Sequence, residues 1–190
     1  MAYMKSHQAD HCAELIDPLE FDLDPIFKPH FSYLKSKVPL QLQALADKIK
    51  QADGYIMVSP EYNHSMSPAL AHLLNHFGSS LFSYKPSAIV TYSAGQWGGV
   101  RAAVGMRVFL SELGCLPVSA MVHVPKANEV FAEDGSFFAS VDSAAWSDYL
   151  GRACTQLEWW ASAARLQRRK ADPHKLVRDF KRDPSQRNAP

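Results

Sequence analysis

"GYIMVSPEYNHSMSPALAHLLNHFG", residues 54–78, changes hydrophobic period part-way along its length. "GYIMVS" (54–59) is a continuous apolar run of strand length, as expected of a strand buried on both faces. From Ser67 onward the apolar residues recur at helical spacing. Ser67 is placed to cap that helix, Pro68 lies in its first turn and Gly78 is its stop. Between strand and helix stands a polar loop carrying Pro60, Glu61, Tyr62, Asn63 and Ser65.

The same alternation continues on both sides. Downstream, "SAIVTY" (87–92) is a strand, "GVRAAVGMRVFLSELG" (99–114) a helix ending at Gly114, and "PVSAMVHV" (117–124) another strand. An irregular stretch to about Ser140 leads to a long helix over roughly 143–169. Upstream, "PLQLQALADKIKQA" (39–52) has apolar residues at 42, 45, 46 and 49, one face of a helix with Pro39 at its start. A Pro- and aromatic-rich connection precedes it, and "AELI" (13–16), closed by Asp17-Pro18, reads as a short strand. Strands each followed by a crossover helix give an α/β fold, an open parallel sheet with helices on both faces.

Composition narrows the function classes. The chain has 190 residues, 47% hydrophobic and 21% charged, with a net charge of +1, so no overall field favours nucleic acid. Residues 165–190 nevertheless carry nine Lys/Arg and three Asp, leaving the remainder net acidic. A solvated helix end followed by a loosely ordered basic tail (171–190) accounts for this, and nucleic acid is not an expected partner. Three widely spaced cysteines (12, 115 and 154) suggest reduced thiols. No apolar run is long enough to span a membrane, and "MAYMKSHQAD" has no signal-peptide core, so a cytoplasmic location is expected. His72 and His76 stand four apart on a helix with His64 nearby, but no Glu or Cys completes a metal set, and no metal is expected.

Open parallel sheets bind ligands beyond the carboxyl ends of their strands. Two successive strand-to-helix connections here carry unusual residues: 59–67, with Pro60 to Ser65, and 93–99, with Ser93, Ala94, Gly95, Gln96, Trp97, Gly98 and Gly99. Glycines 95, 98 and 99 allow positive φ angles and close approach of the main chain to a ligand. The helix starting near Gly99 directs free N–H groups and its positive dipole end at that loop. In the first loop an aromatic ring can lie on a planar ligand while Asn63 and peptide groups bond its polar edge.

These residues carry a resemblance. "LADKIKQADGYIMVSPEYNHS" (45–65) and "KPSAIVTYSAGQWGGVRAAVGMRVFLSELGCLPV" (85–118), with "AELIDPLEFDLDP" (13–25), resemble the NADPH-dependent FMN reductase family, a flavodoxin-like group. The resemblance implies that residues 60–63, together with Ser65, line the flavin ring and that Ser93 to Gly99 form its other wall. It further implies electron transfer from NADPH or NADH through FMN to a small-molecule acceptor such as a flavin or quinone, in a homodimer or homotetramer. Hydride transfer to a flavin needs no protein nucleophile, so no catalytic residue is named. Main-chain donors near the ring's N1 and C2 carbonyl would favour its reduced form.

The sequence also departs from the family pattern. Ser67-Pro68 replaces a Pro-Gly pair, Ala71 and His72 stand in Lys-Asn places, and Asn75 stands where Asp is usual. The opening strand and the Gly/Ser/Arg phosphate loop are missing, so residues 1–170 read as an N-terminally incomplete flavodoxin-like domain. A phosphate held by about three charge-assisted hydrogen bonds contributes on the order of 5 kcal/mol, so its loss weakens FMN binding about a thousandfold. A shortened product of a complete gene is the expected explanation. The alternative is a non-catalytic subunit or truncated isoform that associates with a complete homologue.

Overall fold

The computed structural model describes residues 11–21, 23 and 27–176. Among them, three parallel strands form one open sheet: β1 (Tyr55–Pro60), β2 (Pro86–Tyr92) and β3 (Leu116–Val124), in the order β1-β2-β3. Four longer helices accompany it: α1 (Leu40–Gln51), α2 (Pro68–Asn75), α3 (Val100–Glu112) and α4 (Ser143–Lys170). Strand alternation divides the core. Met57 and Ile89 face α1, α2 and α3 and meet Leu45, Leu73, Met106 and Leu110. Ala88, Val118 and Val122 face the other way, towards α4, with Leu157 and Ala153. β2 and β3 are thus covered on both sides, as the alternation of elements implied.

Several boundaries lie where local chemistry places them. Leu42, Leu45, Ala46 and Ile49 form the buried face of α1. At the start of α2 the Ser67 hydroxyl accepts from Leu70 N–H at 3.2 Å, and at α4 Asp142 accepts from Ala145 N–H at 3.0 Å. The end of α2 differs from expectation. The helix closes at Asn75 rather than Gly78, because the His76 N–H turns back onto the Leu73 and Leu74 carbonyls. The His76 ring folds inward, 2% exposed, with Nδ1 on the His72 carbonyl at 2.8 Å and Phe27 packed against it. Gly78 instead opens a one-turn helix, Ser79–Phe82.

Residues 13–16 are not a strand; they run as irregular chain. A strand needs a neighbouring ladder, and among the described residues the outer edge of β1 pairs with nothing. Glu14 reaches the ammonium of Lys48 instead, and Asp17 caps a 3-10 turn, Pro18–Glu20. The expectation of strands buried on both faces also fails at β1, where Ile56 is 37% and Val58 52% exposed, because α4 covers β2 and β3 alone. The outer edge of β3 is guarded: Gln156 accepts from Ala120 N–H at 2.9 Å, and the Tyr149 hydroxyl accepts from His123 N–H at 2.9 Å. Residues 173–176 form one helical turn whose His174 ring meets Tyr84 edge-on, and 177–190, most of the predicted loose tail, lie outside the described residues.

A buried lysine ties α1 to the sheet. Lys85, 7% exposed, donates to the Ile49 and Lys50 carbonyls at 2.9 and 2.7 Å and to the Tyr55 hydroxyl at 3.0 Å. It thereby satisfies carbonyls at the C-terminal end of α1. Nearby, Asp53 pairs with Arg168 at 2.7 Å and Arg165 at 3.7 Å, fixing the far end of α4. Burial, joined by the Arg168 charge, pushes the Lys85 ammonium down to about 8. The folded chain therefore releases this proton before the unfolded chain does, and stability rises with pH above 8. Lys85→Met is expected to lower unfolding free energy by about 2–4 kcal/mol through the orphaned carbonyls. It should also abolish the rise in urea-measured stability between pH 8 and about 9, above which Cys115, whose thiol burial pushes up to about 12, acts in the opposite direction.

Candidate functional site

The first loop leaves β1 at its last residue, Pro60, whose register partner is Tyr92 at the end of β2. Glu61 N–H donates to the Tyr92 carbonyl at 3.0 Å, extending that pairing by one step. Ser59, fully buried, anchors both ends of the loop: its hydroxyl donates to the Pro60 carbonyl and accepts from Ser67 N–H, each at 2.8 Å. Between these anchors Tyr62 and Ser65 exchange main-chain bonds of 2.9 and 2.8 Å around Asn63 and His64. Both central residues have positive φ, 48° and 61°, the mark of a type I′ turn. Asn and His are both enriched in this region relative to other non-glycine residues. The Tyr62 ring stands 56% exposed at the rim.

The second loop is laced to the end of β3. Ser93 N–H donates to Val124, while Ala127 and Lys126 N–H groups donate to Ser93 and Gly95 carbonyls, all at 3.0–3.1 Å. Gly98 and Gly99 have φ of 60° and 79°. A Cβ on Gly98 would stand 2.8 Å from Pro125 N, and one on Gly99 would stand 2.7 Å from Thr91 Cβ, so both positions require glycine. Gly95, expected to share that role, has no positive φ, and its Cβ would meet only Ser93 Oγ at 3.9 Å. The N–H groups of Ala94, Gly95, Gln96 and Trp97 find no acceptor among the described residues. Four successive donors are thereby left at the mouth of the site, next to a helix start that no side chain caps.

Polar support beneath this loop was not foreseen. The Thr91 hydroxyl donates its single hydrogen to the Gly98 carbonyl at 2.9 Å, so the 2.8 Å contact with His123 is donated by ring Nδ1–H. Neutral His123 then carries its basic nitrogen at Nε2, and burial holds its pKa below the usual value of 6.5. The sequence signal for Thr91, His123 and Ser59 was slight: each is a polar residue inside an apolar strand, and only strand pairing brings Thr91 opposite His123.

Tyr92, at the junction of the loops, is 38% exposed. Burial, then the charges of Tyr62 and Asp17, raise its phenol above the usual range, so it remains a hydrogen-bond donor at neutral pH. The register pairing of Pro60 with Tyr92 starts the first loop beside the root of the second. Trp97 is 58% exposed with the Arg101 guanidinium 5.8 Å from its ring centre, not packed in the core. The Glu61 carboxylate has no hydrogen bond among the described residues.

Residues 2–129 match the sequence profile of the NADPH-dependent FMN reductases. The chain belongs to that family. Curated relatives include an NADPH azoreductase from Bacillus sp. strain OY1-2, 36% identical over 70 residues (37% of this chain, 39% of the relative). Another is a quinone reductase from Escherichia coli K12, 37% identical over 75 residues (38% of this chain, 40% of the relative). The chain spans about two-fifths of the length of these relatives. Among solved structures, a flavoenzyme NAD(P)H:(acceptor) oxidoreductase from Paracoccus denitrificans superposes with a TM-score of 0.57 at 22% identity, covering 71% of this chain and 76% of that one. That likeness supports the fold.

The residues present fit the ring half of FMN: an exposed aromatic face stands on one loop and unpaired main-chain donors on the next. No Gly/Ser/Arg-rich turn precedes β1 among the described residues, so they supply no counterpart of the family's phosphate loop.

Thr91→Val should cost about 1–3 kcal/mol by stranding the Gly98 carbonyl and the His123 N–H, as read by denaturant unfolding. Because His123 resists protonation when folded, wild-type stability should fall as pH drops below 6.5. His123→Gln should remove that component, leaving a shallower acid limb.

Proposed function

We propose that this chain is an NAD(P)H-dependent oxidoreductase that passes electrons through bound FMN to a flavin, quinone or similar small acceptor. The observation that carries this is the convergence of two loops on consecutive strand ends, one with an exposed aromatic ring and one with four unpaired N–H groups. Family membership and the names of the curated relatives support it. Pro60, Glu61, Tyr62, Asn63 and Ser65 would line one side of the ring, and Ser93 to Gly99 the other. Bound FMN supplies the hydride acceptance and its onward transfer. The chain's part is to hold, orient and polarise. Tyr62 offers an apolar face, and Asn63 offers an amide for the polar edge. The free N–H groups of 94–97 stabilise negative charge where it develops. Tyr92 keeps its proton throughout.

We further infer a homodimer or homotetramer and a cytoplasmic location. Among the described residues no helix is long and apolar enough to cross a membrane. Residues 1–170 would form the functional domain, with 171–190 as its basic tail. A second reading, a non-catalytic subunit that associates with a complete homologue, is favoured by one observation: Ile56 and Val58 lie uncovered on β1.

Fluorescence titration separates the two. The first predicts quenching of FMN fluorescence on addition of protein, at least tenfold weaker for Tyr62→Ala, and quinone-dependent NADPH oxidation at about 1 per second or faster. No flavin binding at any accessible concentration would exclude the first reading. Turnover by this chain alone at that rate would exclude the second.

A further inference from the structure

Beyond its middle, α4 carries apolar side chains on the side turned away from the sheet. Leu157 packs on Ala88 and Val118, and Arg168 turns inward, donating to the Tyr84 carbonyl at 2.8 Å and to Asp53 at 2.7 Å. Trp159, two residues past the first and nine before the second, projects the opposite way at 3.6 residues per turn. Leu166, seven residues on, returns to that outward side within about 20°, with exposed Ala163 between them. Trp159 is 72% exposed, Leu166 56% and the adjoining Trp160 45%, and neither indole meets another ring among the described residues. Residues 159–170 also hold four basic side chains and no acid. Arg165 and Arg168 are drawn to Asp53, whereas Arg169 and Lys170 are exposed and have no ion-pair partner among the described residues. The helix dipole accounts for basic residues in a last turn. It does not account for two adjacent indoles and a leucine turned to water.

We propose that this face of α4 docks on an anionic lipid bilayer, with the helix lying in the plane of the membrane. Trp159 and Leu166 enter the boundary between headgroups and acyl chains, where an indole buries its rings and keeps its N–H in polar surroundings. Lys170, eleven residues past Trp159, comes back to the same side within about 20°, and Arg169 stands at its margin. Their long stems let the charged ends reach lipid phosphates while the apolar stripe sits deeper. Each basic side chain near such a surface strengthens binding about fivefold. The nearest acid on the helix, Glu158, turns its carboxylate to His11, 3.3 Å away. A nucleic acid would match the charges but leave Leu166 without a partner. The apolar stripe spans only about 10 Å on a convex face, so it suits a flat surface better than a groove in another protein. The loops at the carboxyl ends of the strands stay clear of the contact. α4 begins beside them, where Tyr149 meets His123, and Trp159 lies about 15 Å farther along its axis.

This surface is independent of the redox reading, and its test needs no flavin. The full chain should co-sediment with phosphatidylcholine vesicles that contain about one-third phosphatidylserine, and about 0.5 M salt should release it. Binding to pure phosphatidylcholine vesicles should be at least tenfold weaker, and tryptophan emission should shift to the blue on binding. Trp159→Ala should lower partitioning about tenfold and remove most of that shift. The pair Arg169→Gln and Lys170→Gln should lower it about twentyfold on the anionic vesicles, and circular dichroism should be unchanged in every variant. No association at about 1 mM lipid would overturn the proposal. Association that Trp159→Ala and Leu166→Ser leave unchanged would overturn the face, since charge elsewhere on the chain then suffices. Equal binding to both kinds of vesicle would overturn the anionic partner. A chain that ignores vesicles but forms a dimer broken by Trp159→Asp would overturn the membrane in favour of a second copy.

Discussion

The hydrogen bond from Glu61 N–H to the Tyr92 carbonyl carries parallel pairing one step beyond the last paired residues of β1 and β2. Everything proposed for the site depends on that continuity. Had the strands parted a residue earlier, the two loops would diverge with the twist of the sheet. Instead Pro60 and Tyr92 finish side by side, and both loops start from a common line. The second loop is then held from the other side by the end of β3, through Ser93, Gly95 and the turn at Lys126. Three strand ends fix the geometry, and the loops themselves need few internal bonds.

Economy of polar groups follows from this arrangement. Ser59 serves both ends of the first loop through one hydroxyl, and Thr91 joins Gly98 to His123 through another. Both side chains are fully buried, where an unmatched hydroxyl would cost more than a made bond contributes. The free N–H groups lie on the solvent side, where water satisfies them until something better arrives. Rigid support beneath with open donors above is the usual condition for holding charge without reorganisation.

Most of the fold was legible because it follows from periodicity. The apolar positions of α1, the Ser67 cap, the span of α3 and the three parallel strands all lie within a residue or two of expectation. Residues 13–16 misled because a short apolar run is strand-like only when a ladder stands beside it, and that information is not local. The early close of α2 depends on His76 turning inward beneath Phe27, a tertiary contact that outweighs the stop signal at Gly78. The candidate loop residues stand out in the sequence by type. Gly95 looked equivalent to Gly98 and Gly99, but only the latter two press against neighbouring backbone or side chain. Thr91 and His123, 32 residues apart, could not be linked without the β2–β3 register.

The two margins of the sheet are unequal. On β3, Gln156 and Tyr149 reach across from α4 and occupy main-chain donors that a foreign strand would need. On β1 no side chain does this among the described residues, and Ile56 and Val58 add greasy side chains beside the open ladder. Among the described residues, unwanted templating therefore has a direction: strand accretion is favoured at the β1 flank. A single lysine or proline on that flank would do for β1 what a whole helix does for β3.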